Sequence, residues 1–224
     1  MFRFVIRAIV FDFDGLILET EEPIYRSWLE VYEAHGEELP FERWLETVGS
    51  DNATFHPQRH LERRLGRALP QDVLDRRTRR RTELVLAQPP LPGVVARIDE
   101  ARALGLRLGV ASSSSREWVS GHLARLGILD RFDCLRCRDD VELVKPAPDL
   151  YLAVLDCLGV PGDEALAVED SANGITAAKR AGMRCVAVPN SITAGLDLSH
   201  ADLTLPSLDG ITLRALLARL EASN

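Results

Sequence analysis

The chain has 224 residues, 46% apolar and 27% charged, with a formal net charge of -7. This is the composition of a globular fold with one large core or two modest ones, and it excludes a disordered chain. The negative balance argues against nucleic acid, whose phosphates attract basic surfaces, and the apolar runs are too short for a membrane span.

The N-terminus, MFRFVIRAIVF, carries Arg7 inside its apolar stretch and lacks a small-residue cleavage site. It reads as a strand over 7–11 rather than a signal peptide. Ile24, Trp28, Val31, Tyr32 and His35 recur at helix spacing, which predicts a helix over 23–35 with Pro23 in its first turn. Helical patterns continue over 40–47, 57–66 and 71–86, so residues 20–88 read as nearly all-helical. The cluster QPPLPG then marks a boundary.

Beyond it the pattern alternates. Helices are expected over 94–104, 117–126, 149–158 and 174–181. Strands are expected over 106–111, 132–135, 165–168 and 184–188, with a last short one within 201–205. A closing helix over 213–220 turns Leu213, Leu216, Leu217 and Leu220 toward the core. Such alternation builds a parallel sheet covered on both faces. The expected fold is therefore α/β: a Rossmann-like parallel-sheet core from residues 1–19 and 89–224. An α-helical cap, residues 20–88, is inserted after the first strand.

Ligands of open α/β sheets bind beyond the carboxyl ends of the strands. After the first strand stand Asp12 and Asp14, followed by Gly15. After the second come four serines, Ser112 to Ser115. Lys145 precedes the helix at 149, and Glu169 and Asp170 follow the strand over 165–168. Crowded carboxylates call for a cation, and a hard, oxygen-loving one such as Mg²⁺ suits Asp12, Asp14, Glu169 and Asp170. Hydroxyls and free amides at a helix start, with Ser114 and Glu117 as a capping box, make an anion site that phosphate fits. Metal, anion cradle and lysine together suit phosphoryl transfer. No GxxxxGK[ST] loop or complete calcium loop is present.

These segments resemble the haloacid dehalogenase-like hydrolases, closest to the branch of helical-cap phosphatases and β-phosphoglucomutases. DFDGLILETE, VASSSS, VKPAPDLY and VEDSANGITAAKRAGM match that family's four motifs in order. The resemblance implies a Mg²⁺-dependent phosphatase acting on a small phosphorylated metabolite. Asp12 is then the nucleophile and Asp14 the acid/base. Ser112 and Lys145 complete the catalytic set. Gly15, Ser112, Ser113 and Lys145 hold the phosphate, and Asp12, Asp14, Glu169 and Asp170 hold the metal. Glu19, Asp51 and Asn52, near domain boundaries or loop tips, are candidates for substrate specificity. Mutases of this branch carry a histidine early in the first cap helix, where this chain has Ile24 and Tyr25, which favours hydrolysis. A sugar-phosphate mutase and a non-catalytic binding protein of the same fold stay as alternatives. Closure of the cap would keep water out until the leaving group is protonated.

Of the 27 basic residues, 25 are arginine; the two lysines are Lys145 and Lys179. The run Arg76, Arg77, Arg79, Arg80 and Arg81 reads as a solvated face, with steering of a phosphorylated substrate as the other option. Cys134 and Cys137 form a CxxC without the further ligands of a zinc site. Four cysteines in a chain this long suggest reduced thiols and a cytoplasmic protein. No protein partner is implied.

Overall fold

Six strands form one parallel sheet in the computed structural model, which describes residues 5–48 and 55–222. They are β1 (Ala8–Phe11), β2 (Arg107–Ala111), β3 (Cys134–Arg136), β4 (Ala165–Glu169), β5 (Arg184–Ala187) and β6 (Leu203–Thr204), in the order β3-β2-β1-β4-β5-β6. Asp51 and Asn52 lie outside the described residues.

β1 shows why its sequence is apolar throughout. Ile9 and Phe11 enter one apolar cluster, while Ala8 and Val10 enter another on the opposite face. Successive side chains of a strand alternate sides, so a strand covered on both faces has no position for a polar residue. The first face is covered by α5 (Val94–Ala103), α6 (Arg116–Arg125) and α9 (Leu213–Ala222), through Ile98, Val119, Leu123, Leu216 and Leu220. The second is covered by α7 (Asp149–Leu158) and α8 (Ala172–Arg180), through Tyr151, Val154, Leu158 and Ile175.

Between β1 and α5 the described residues form four helices: α1 (Glu21–Ala34), α2 (Phe41–Leu45), α3 (Pro57–Leu65) and α4 (Gln71–Leu86). They have their own cluster, built on Trp28, Val31, Tyr32, Leu39, Trp44, Phe55 and Leu61. The chain leaves and re-enters the sheet domain side by side: Leu18 bridges Pro90, and the Leu91 amide donates to the Ile17 carbonyl at 2.9 Å. Among the described residues, no helix is long and apolar enough to cross a membrane.

The expectation of four reduced thiols is corrected. Cys134, at the start of β3, is disulfide-bonded to Cys157 on α7, while Cys137 and Cys185 are free and buried. Packing of α7 against β3 brings together two cysteines that are 23 residues apart in sequence. The inference from reduced cysteines to a cytoplasmic compartment loses that support.

α7 also explains Gly109 in β2. A Cβ at Gly109 would strike the Val154 side chain, so the strand needs a residue without one for the helix to pack this closely. Gly109→Ala is expected to destabilise the fold by about 1–3 kcal/mol through overpacking, measured by urea denaturation.

Candidate active site

The strand order reverses at β1: the chain runs from β1 through β2 to β3 on one side, then crosses to β4 on the other side of β1 and continues outward. The carboxyl end of β1 therefore opens a crevice between diverging loops. Phe13 sets what faces that crevice. It is fully buried beside His122, at a ring separation of 6.2 Å, so the acids on either side of it turn the other way. The turn closes on itself: the Ile17 and Leu18 amides donate to the Phe13 carbonyl at 3.0 and 3.2 Å, and the Gly15 amide donates to the Leu18 carbonyl at 2.8 Å. Gly15 has φ +78°, and a Cβ there would collide with the Asp170 carboxylate and the Asn190 side chain.

Asp12 and Asp14 line a cavity of about 180 Å³. Ser113, Ser114, Arg138, Lys145, Asp170 and Ser171 complete its sheet-domain wall. From the helical unit come Glu21, Ile24, Thr47 and Val48. Residues from four strand ends thus meet at one place, as their common topological position predicts.

Lys145 is 4% exposed and donates to Asp12 Oδ1 and to Glu169 Oε1. Burial by itself would lower its pKa, but the carboxylates of Asp12 and Glu169 outweigh that and shift it upward. Glu169 Oε1 also accepts from the Tyr151 hydroxyl at 2.6 Å. Its Oε2 accepts from the Asp170 and Ser171 amides and the Ser171 hydroxyl, at 3.1, 3.4 and 3.2 Å. These contacts require Gly174 in the first turn of α8, where a Cβ would overlap the Glu169 carboxylate. With both oxygens taken, Glu169 anchors Lys145 and the turn after β4.

The carboxyl groups of Asp12, Glu169 and Asp170 offer oxygens within 4.8 Å of one another. Burial pushes the Asp12 carboxyl up to about 8 against the lowering effect of Lys145, and the charges of Glu169 and Asp14 add to the rise. Asp170 is raised well above its ordinary value by burial first, then by Asp12 and Glu169. One lysine does not neutralise this cluster, and the donor set is all oxygen, which fits a hard divalent cation. Asp12 Oδ1 is held by Lys145 and Asp170 Oδ2 by Asn190 Nδ2 at 2.8 Å. Among the described residues nothing donates to their other oxygens, so Asp12 and Asp170 are better placed than Glu169 as direct ligands.

The serine turn differs from expectation in its division of labour. The N-cap of α6 is Ser115, whose side chain accepts from the Trp118 amide at 3.3 Å; Ser114 and Glu117 do not form a capping box. Ser114 Oγ instead donates to Asp14 Oδ2 at 2.7 Å. Ser112 is fully buried, donating to Asp14 Oδ2 at 3.2 Å and accepting from the Ser114 amide at 3.0 Å. It supports Asp14 and does not face the cavity. Ser113 does line it, with a buried hydroxyl that has no hydrogen-bond partner among the described residues. Gly15 is corrected likewise: its amide is committed to Leu18, so its contribution is space for Asp170.

Glu19 is also reassigned. It accepts from the Glu21 and Glu22 amides at 3.0 and 3.1 Å, capping α1, and does not line the catalytic cavity. Glu21 does. Sequence reasoning passed over Glu21, Tyr151, Asn190 and Trp118. Only Glu21 had a visible signal, as the last acid of the ETE segment, where α1 begins.

The match to known proteins agrees with this architecture. The family model described as haloacid dehalogenase-like hydrolase matches residues 6–182. The chain belongs to that family, in the branch of helical-cap phosphatases and β-phosphoglucomutase-like proteins. It is 44% identical over 221 residues to "Putative phosphatase YhcW" of Bacillus subtilis (strain 168), covering 98% of this chain and 100% of the relative. Hexitol phosphatase B of Escherichia coli (strain K12) is 32% identical, covering 95% and 97%. Among solved structures, CbbY from Rhodobacter sphaeroides in complex with phosphate superposes with a TM-score of 0.71 at 33% identity, covering 95% of this chain and 99% of that one.

Burial raises the Glu21 carboxyl from 4.5 to about 8, helped by the charges of Asp14, Glu19 and Asp12. A carboxyl raised on folding binds its proton more tightly in the folded state. Its contribution to stability is complete below the ordinary glutamate range and is lost as pH rises through about 8. Glu21→Gln is expected to flatten that loss. In chelator, the urea midpoint of the variant should fall less than that of the wild type between about pH 5 and about pH 8.

Proposed function

We propose that the protein is a Mg²⁺-dependent phosphatase that hydrolyses a small, sugar-phosphate-like metabolite through an aspartyl phosphate on Asp12. The observation that carries this reading is the junction around one cavity of Asp12, Lys145, Asp170 and the Ser113 hydroxyl, which has no partner among the described residues. Asp12 attacks phosphorus as the bond to the leaving oxygen breaks, and Asp14 gives that oxygen its proton. Asp14 then takes a proton from the water that attacks the aspartyl phosphate, which frees Asp12 and releases phosphate. Lys145 holds positive charge beside the nucleophile throughout. Ser113 is placed to donate to a phosphoryl oxygen. Asp12, Asp170 and the main-chain carbonyl of Asp14 would hold a Mg²⁺, which would supply further positive charge at the transferring group.

The leaving group faces Glu21, Ile24, Thr47 and Val48 from the helical unit. The Glu21 carboxyl and the Thr47 hydroxyl suit hydrogen bonds to a hydroxylated alcohol, and the names of the relatives, hexitol phosphatase among them, support that class. Ile24 favours hydrolysis over mutase chemistry. At the position where mutases of this branch carry histidine, an aliphatic side chain lines the cavity and can move no proton.

Asp12→Asn is expected to lower Mg²⁺-dependent phosphate release from an aryl phosphate by on the order of 10⁴-fold or more. Chelation should silence the wild type and added Mg²⁺ restore it. Absence of release at every Mg²⁺ concentration would count against the reading. In a separate assay, a hexose 1-phosphate with a bisphosphate activator should give free phosphate faster than isomerised sugar phosphate; the reverse order would make the enzyme a mutase.

A further inference from the structure

Among the described residues, Asp14 accepts four side-chain hydrogen bonds. Oδ1 receives Thr20 Oγ1 at 3.0 Å and Trp118 Nε1 at 2.9 Å; Oδ2 receives Ser112 Oγ at 3.2 Å and Ser114 Oγ at 2.7 Å. Three of these donors are hydroxyls, which can turn and accept instead. The indole N–H can only donate. It therefore commits Oδ1 as an acceptor toward α6 and leaves Oδ2 among groups that can reverse.

Trp118 is itself firmly placed. Its amide is held by the Ser115 cap, which puts the residue in the first turn of α6. His122 meets the indole edge-on at 4.3 Å. From α4, in the helical unit, the Arg81 guanidinium lies over the same ring at 5.7 Å. Arg81 Nε is buried and has no hydrogen-bond partner among the described residues, and the guanidinium faces this aromatic ring. One side chain thus touches the helical unit with its ring and Asp14 with its N–H.

We propose that Trp118 is a positioning residue for the acid step: its indole N–H fixes the orientation of Asp14 so that Oδ2 is the oxygen that serves the leaving group. This rests on the assignment of Asp14 as the acid. Trp118 touches no substrate in this scheme and acts through Asp14 alone. A misoriented acid slows the departure of a poor leaving group, which needs the proton. It barely affects a good leaving group, which departs as an anion.

The test compares kcat/KM for an alkyl phosphate with kcat/KM for 2,4-dinitrophenyl phosphate. Trp118→Phe keeps an aromatic ring and removes the N–H. It is expected to lower the alkyl value by about 10–100-fold, within the range general acid catalysis contributes, and the dinitrophenyl value by no more than about twofold. Asp14→Ala should show the same asymmetry, larger. If Asp14→Ala slows both substrates equally, the acid assignment itself fails. If Asp14→Ala shows the asymmetry and Trp118→Phe slows both substrates equally or neither, Trp118 only packs and the proposal is overturned. Should Trp118→Phe melt early, benzothienylalanine at position 118 places sulfur where the N–H was in a ring of the same shape. The same asymmetry is expected there, and its absence refutes the proposal.

Discussion

A lysine with almost no exposure sits between the carboxylates of Asp12 and Glu169, and much of the sheet domain is arranged around that contact. Buried charges are tolerated only when they are paired and hydrogen-bonded. Glu169 satisfies this through Tyr151 from α7 and through the turn that opens α8. Gly174 leaves room for its carboxylate, and Ser171 serves both as a partner to Glu169 and as the N-cap of α8. Tyr151 and Gly174 are therefore tied to the same charge cluster from two different helices. The rigidity of that frame matters because Asp12 is held at the end of the central strand, where a displaced carboxylate would lose its line to phosphorus.

The frame does not neutralise itself. Asp12 and Asp170 are raised by burial first and then by neighbouring carboxylates, Glu169 among them in both cases, which is how a site looks when its carboxylates are placed for a cation as well as for lysine. Asn190 illustrates the supporting layer. Its amide nitrogen donates to Asp170 and to the Gly15 carbonyl, and its oxygen accepts from the Ile192 and Thr193 amides. It thereby ties the turn after β1 to the segment after β5, and Asp170 is oriented between them.

The helical unit supplies the opposite wall, and its basic run is not a plain solvated face. Arg80 makes a bidentate pair with Glu30 across α1 and α4, and Arg76 pairs with Asp72. Arg77 lies over Trp28 at 4.5 Å, and burial, with the Arg81 charge beside it, lowers its pKa to about 10. Arg81 reaches across to Trp118. The run thus divides along helix periodicity: some arginines hold α1 against α4, while Arg81 contacts the sheet domain next to the proposed acid. The ring of Trp118 is where the placement of the helical unit and the orientation of Asp14 meet.

Much of this was legible in the sequence for physical reasons. Strands covered on both faces must be apolar throughout, so their ends stand out when acids, serines or a lysine follow, and helix periodicity marked the inserted unit. The sequence by itself thus determined the α/β alternation, the helical insertion after the first strand, and the gathering of Asp12, Asp14, Lys145 and Asp170 at one edge of the sheet. Only the tertiary structure decided which hydroxyl faces the cavity, that Glu169 anchors Lys145 with both its oxygens, that Glu21 rather than Glu19 lines the wall, and that Cys134 meets Cys157. Each of those depends on where a side chain points once helices pack against strands. Trp118 shows the limit most clearly: its pattern is that of any half-buried helix residue, and its hydrogen bond to Asp14 spans 104 positions that only the fold brings together.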